Sequence, residues 1–252
     1  MTSASTVGPV EGVLVIAGRE LGSTIDSKIA YVYTIAFVVL TNSIFMNEFF
    51  LTGTVDMTGF FDLMPLLLPV FLPAVTMRQW AEERKQRTIE MLLTMPIRPL
   101  HAVLGKYLAA LALFGMFLAG SLPIVCMLVA LGEPDLGLIA SGYLGLLLFG
   151  ALLLAIGQFF SSLGSDQIVA FVTTAAVGFL FVLSGDDRVV AVLDGLFPGG
   201  EIGTHVYEWF SVAPHYEAFV RGVVGLPALA YFGGLSALFL WINAQVLERF
   251  RT

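Results

Sequence analysis

The chain is poor in the residues that metal and redox chemistry use, with one cysteine and three histidines in 252 residues. A lone cysteine excludes an intrachain disulfide, and Cys126 stands inside an apolar run, where it suggests no metal cluster. Charge is scarce too: charged residues are 12% of the chain, against about 25% in an average soluble domain. What replaces it is hydrocarbon, with 58% hydrophobic residues and a mean hydropathy of +0.90. Alternating strands of about ten residues, which a membrane barrel needs, are missing. The N-terminus "MTSASTVGPVEG" lacks a basic stretch and a small-residue cleavage site, so no removable signal peptide is expected. These absences leave one fold class, an all-α integral membrane protein forming a single membrane domain over residues 1–252.

A span needs about 20 apolar residues, and six runs are read as spans: about 29–46, 61–80, 102–131, 138–163, 167–184 and 226–246. Ahead of them, in 12–28, Val13, Ile16, Ala17 and Leu21 fall at helical spacing with Arg19, Glu20, Asp26 and Lys28 elsewhere on the wheel. That is the pattern of a helix lying in the membrane interface. With six spans both termini share a side, and that side carries Arg19, Lys28, Arg78, Arg84, Lys85, Arg87, Arg98, Lys106, Arg249 and Arg251, ten of the twelve basic residues. The other side keeps Arg188 and Arg221 beside eleven acids, so both termini are expected in the cytoplasm.

Within the spans, Pro65, Pro69 and Pro73 stack along one face of the second, which should be bent and tightly packed. Gly142, Gly145, Gly150 and Gly157 open the fourth to close helix approach, within one subunit or along a dimer seam. The segment 185–225 is too polar to span and too apolar for a plain loop. Two short helices, about 189–197 and 203–212, dipping into the outer leaflet would reconcile this, with Tyr207, Trp209 and Tyr216 suited to the interfacial belt. Its acids, Asp186, Asp187, Asp194, Glu201, Glu208 and Glu217, form either a solvated face or a surface for an extracytoplasmic partner.

The densely charged passage is "RQWAEERKQRTIEMLLTMPIRP", 78–99. If the second span runs on as a helix, Glu83 and Arg87 pair at i, i+4 and Trp80 anchors the interface. A second short helix can begin near Thr88, with Glu90 in its first turn, and must stop at Pro96. Ile89, Leu92 and Leu93 then make an apolar face too short to cross a membrane, suited to a groove on another protein or, more plainly, to the bilayer surface. The arrangement "EERKQRTIEMLLTMPIRPLHAVLGKYLAAL" resembles the cytoplasmic loop of ABC-2 type permeases: E-E-R at Glu82 to Arg84, T-x-E-x-L-L at Thr88 to Leu93, Pro96-Ile97, then Gly105-Lys106. The ending, an aromatic-bearing segment, R-G-V-V, a last span and a short basic tail, looks like the gliding-motility-associated and copper-enzyme-maturation members. Where those often carry an aspartate this chain has "GLPALAYF", which leaves the cargo open.

The resemblance implies a permease working with two separate ATPase subunits and a second permease chain, the same or related, in a prokaryotic cytoplasmic membrane, usually for export. Glu83, Arg84, Glu90, Met91, Leu92 and Leu93 of the coupling region 82–97 would meet the ATPase. No cofactor is expected on this chain: "LGKY" at 104–107 lacks the rest of a phosphate loop, so ATP and magnesium belong to the partner. No nucleic-acid partner is expected, and membrane lipid is.

Two rivals come from other classes. Glu82, Glu83 and Arg87 match the E-E-x-x-x-R motif of prenyl-protease-like metalloproteases, but His101, His205 and His215 fall outside the spans, where metal-holding histidines are needed. A secondary transporter wants ionisable groups at mid-membrane. The spans offer instead Asn42, Gln158 and Asn243. The first two are candidate pathway residues, with hydrogen bonding between helices as the alternative reading.

Overall fold

The computed structural model describes residues 9–88, 99–196 and 202–249, and they are helical with short connections. In chain order the helices are α1 Pro9–Ile25, α2 Lys28–Thr52, α3 Thr58–Thr76, α4 Ala81–Lys85, α5 Pro99–Ala119, α6 Leu122–Leu131, α7 Leu136–Leu163, α8 Gln167–Leu183, α9 Asp187–Leu196, α10 Ile202–Phe210, α11 Ala213–Val220 and α12 Leu226–Arg249. Five segments are long and apolar enough to cross a membrane: α2, α3 with α4, α5 with α6, α7 and α12. The pair α8 and α9, bent by 85° at its break, makes a sixth when counted as one span.

Short polar devices punctuate the apolar runs. Asp135 and Asp166 cap α7 and α8, each Oδ1 accepting two backbone N–H bonds, at 2.8 and 3.1 Å and at 2.8 and 3.3 Å. Gly53 ends α2 in the left-handed region (φ 66°), where a side chain would be strained. Prolines open helices where their missing N–H costs nothing, as Pro99 does in α5. The three prolines of α3 do not break it, and Pro69 and Pro73 are buried, as tight packing requires.

The third span departs from the expected continuous helix over 102–131, because the chain breaks between α5 and α6 at Gly120 and Ser121. Pro123 cannot donate a helical hydrogen bond, so the ladder restarts there. In a bilayer the groups freed at such a break must find partners inside the protein. Asn42 of α2 donates to the Gly120 carbonyl at 3.1 Å, and the Ser121 and Tyr143 hydroxyls meet at 2.6 Å.

The central and most deeply buried span is α7, which contacts α3, α5, α8, α11 and α12. Its glycines work as expected for packing within one subunit. A Cβ at Gly142 would strike Phe61 of α3, at Gly145 Phe219 of α11, and at Gly150 Phe114 of α5. These rings are fully buried in the main apolar core. Short helices α9 and α10 lie close to the expected positions, tied by Asp194, which accepts from Gly203 N at 2.6 Å and the Thr204 hydroxyl at 3.0 Å. Trp209 is 80% exposed. Tyr216 is not in the belt: α11, which periodicity did not reveal, carries it into the core, where its hydroxyl donates to the Phe61 carbonyl at 2.8 Å. Burial, and then the nearby Asp62 carboxylate, pushes that phenol well above its ordinary range.

Candidate functional site: a buried lysine and its cleft

The charged end of the bundle is organised by where α1 crosses α5. At Gly105 a Cβ would run into the Ile16 side chain and the Val13 carbonyl, so a glycine is required for the approach. The next residue, Lys106, is thereby enclosed and is 2% exposed. An ammonium so buried costs several kcal/mol unless paired. Its Nζ lies 2.8 Å from Glu83 Oε1 on α4 and 3.1 Å from Glu20 Oε1 on α1, with the Trp80 ring centroid 5.0 Å away. Arg19, 3.1 Å from the same Glu20 oxygen, brings the four charges to balance. One lysine thus fastens the first helix, the start of the third span and the loop after the second.

Ser161 of α7 holds that loop from the other side. Its hydroxyl donates to the Met77 carbonyl at 3.0 Å and accepts from the N–H groups of Trp80 and Ala81 at 3.1 and 3.2 Å. All three backbone groups lie where α3 gives way to α4, and a side chain from another helix replaces the ladder. Ser161→Ala is expected to cost about 2 kcal/mol, since it leaves buried polar groups unmet. A fall in the detergent unfolding midpoint checks this. Arg78 adds a tie to α8, donating from Nε to Gln167 Oε1 at 3.2 Å.

A cleft of about 480 Å³ opens beside Lys106 between α1, α2, the α3 and α4 segment, and α5. Its lining joins charged and polar side chains, Arg19, Glu20, Arg78, Gln79, Glu83 and Lys106 among them, to apolar ones such as Val75, Ala110 and Leu113, which follow Gln79 and Lys106 along the same faces of their helices.

Two expectations are corrected here. Glu83 does not pair with Arg87, because α4 ends at Lys85 and Arg87 turns into the left-handed region (φ 59°), off the helical register that would bring them together. Glu83 goes to Lys106 instead. Trp80 is not an interfacial anchor, being completely buried between α5, α7 and α12. Arg84 lies on α4, partly exposed. Glu90, Met91, Leu92 and Leu93, with the short helix expected from Thr88 onward, fall outside the described residues beyond Thr88 itself.

Asn42 and Gln158 are not brought to one place. The first clamps the α5 break, and Gln158, fully buried on α7, donates to the Val103 carbonyl at 2.9 Å. Asn243 on α12 is also fully buried, with neither amide atom hydrogen-bonded. In the sequence Lys106 stands among the basic residues of one side and in the Gly105-Lys106 motif, Glu20 on the wheel of the interfacial helix, and nothing there points to Ser161. A lysine one residue after a glycine, inside an otherwise apolar helix start, was the signal available.

Residues 27–186, well over half of the chain, match the family model described as ABC-2 family transporter protein. The chain belongs to that family. No curated protein matches it. The matched part of this ABC-2 permease takes in Glu83, Lys106, Ser161 and the break clamped by Asn42, whereas Glu20, on α1, lies ahead of it. The protein is therefore a multi-pass membrane component of a transporter, and the charged end described above belongs to a transport machine.

Proposed function

We propose that this permease couples ATP hydrolysis on separate ATPase subunits to export across a prokaryotic cytoplasmic membrane, two permeases and two ATPases making the complex. The ATPases meet the coupling region 82–97 through Glu83, Arg84, Glu90, Met91, Leu92 and Leu93, and ATP and magnesium bind to them and not to this chain. Both termini and that region face the cytoplasm, in keeping with the ten basic residues gathered on their side. The observation that carries the reading is the Lys106 joint. Closure of two ATPases would push the loops, and the Glu83 to Lys106 contact at 2.8 Å would pass that displacement to α5, while Glu20 takes α1 along. Rigid elements linked in this way turn a local push into a rocking of spans.

Few fixed charges line the spans, which suits an amphipathic cargo better than a small ion. The test is purification of the tagged protein from its own membrane in mild detergent, followed by mass spectrometry of what accompanies it. An ATP-binding cassette subunit should be recovered with the wild type and at least ten-fold less of it with Leu92→Glu plus Leu93→Glu. If no such subunit is recovered in any of several detergents, the reading is overturned.

A further inference from the structure

Two cations compete for Glu83 under two different rules. Helical spacing offers it Arg87, one turn on, and the fold gives it Lys106 at 2.8 Å. The choice is made at one backbone position. Among the described residues, Arg87 is the one non-glycine with a positive φ, 59°, a region that a residue with a Cβ disfavours. Gln86, just before it, is still right-handed. In a continued helix the Arg87 N–H would bond the Glu83 carbonyl. Here it bonds the Arg84 carbonyl at 3.1 Å, one residue nearer, and the Thr88 hydroxyl takes the Glu83 carbonyl at 3.3 Å. One side chain has thus replaced the next rung of the helix ladder.

We propose that Glu83 is a latch with two positions. In the position described above, α4 stops at Lys85 and Glu83 holds Lys106. In the other, Arg87 returns to the right-handed region, α4 runs on through it, and Glu83 pairs with Arg87. The exchange is closely balanced. Arg87 sheds its backbone strain and the missing rung is restored, against the loss of the Thr88 bond and the Lys106 contact. Lys106 is not orphaned, because Glu20 stays 3.1 Å from its Nζ. Glu83 keeps 21% of its side-chain surface where it is, and its buried Oε2 has no partner there, so it gives up less than a fully bonded acid would. Such a pair of alternatives makes a bistable element. Its use in coupling rests on the transport reading, since with the latch open a push on the loop no longer reaches Lys106 through Glu83. The two positions belong to this chain alone and need no ATPase.

Trp80, fully buried with the Lys106 ammonium 5.0 Å from its ring centroid, reports the latch once the exposed Trp209 and Trp241 are changed to Phe. The experiment incorporates 5-fluorotryptophan into this single-tryptophan permease, purified without any ATPase in phosphatidylcholine nanodiscs, and records its fluorine NMR spectrum. Two resonances, or one averaged line between them, are expected. Arg87→Gly accepts the left-handed turn without strain and removes the alternative cation, so the open state should fall at least ten-fold. Thr88→Ala frees the Glu83 carbonyl for the helix and should raise that state at least two-fold. Arg87→Lys, which keeps both the charge and the strain, should match the parent. Arg87 and Thr88 are exposed, so their replacement reaches Trp80 through the latch and not by contact. A spectrum that Arg87→Gly leaves unchanged, or that Arg87→Gly and Thr88→Ala move in the same direction, overturns the proposal. Failure to recover an ATPase with the permease would leave these spectra as they are, so the latch and the transport reading fail separately.

Discussion

Lys106→Met should destabilise the protein by about 3 kcal/mol, the low end of what breaking a buried ion pair costs. The low end applies because the Glu20 and Glu83 side chains keep 22% and 21% of their surface, so water can solvate part of what the lysine leaves behind. Methionine keeps the volume under Trp80, so the loss reports the charge and not a cavity. Adding Glu83→Gln to Lys106→Met should recover part of the loss, since it removes an orphaned carboxylate. Glu20→Gln alone should cost about 1 kcal/mol or less, as that carboxylate is partly solvated and shared with an exposed arginine. The measurement is the unfolding midpoint of the purified variants in one detergent. If Lys106→Met unfolds with the wild type, the joint is a surface ion pair and the account of the charged end is wrong.

Gly150→Val should have a comparable effect, about 3 kcal/mol, through a different cause. Gly150 sits midway along the central helix, and a Cβ there collides with the ring of Phe114, which is completely enclosed. Neither α7 nor α5 can give way without disturbing the other helices packed on them. Gly115→Ala on α5 is the matched control, since nothing lies within 4 Å of its Cβ position. That change should be neutral or stabilising by up to about 1 kcal/mol, because alanine loses less freedom in a helix than glycine. Monodisperse yield after solubilisation, and the unfolding midpoint, separate the two.

Much of this architecture was legible in the sequence because a bilayer imposes simple rules. Length and hydropathy located the spans. The glycines of α7 and the two short helices α9 and α10 announced themselves by spacing and composition. What stayed hidden depends on which helix crosses which. Gly105 and Lys106 read as a motif, yet only the crossing of α1 over α5 shows that the glycine admits Ile16 and that the lysine is then buried between carboxylates 86 and 23 residues away in the chain, Glu20 and Glu83. Local helix rules assigned Glu83 to Arg87, and a tertiary contact overrode them once the backbone turned at Arg87. The break in the third span was written in "GSLP", where a glycine and a proline flank two residues, but the long, mostly apolar run over 102–131 masked the signal. Asn42, read as a polar residue on a pathway, is held by the carbonyl that this break releases.

On the proposed function, an ATPase sits at the charged end of this ABC-2 permease. The most direct measurement is cross-linking in native membranes. Cys126, exposed in the apolar part of the chain, is first replaced by alanine. A single cysteine is then placed at exposed Gln86, just after α4, or at exposed Thr54, in the turn between α2 and α3 at the opposite end. A photoactivatable cross-linker attached at Gln86→Cys should yield an adduct whose peptides belong to an ATP-binding cassette ATPase, and at Thr54→Cys it should not. An ATPase adduct from Thr54→Cys, or none from Gln86→Cys under conditions where the label is fully incorporated, would contradict the account.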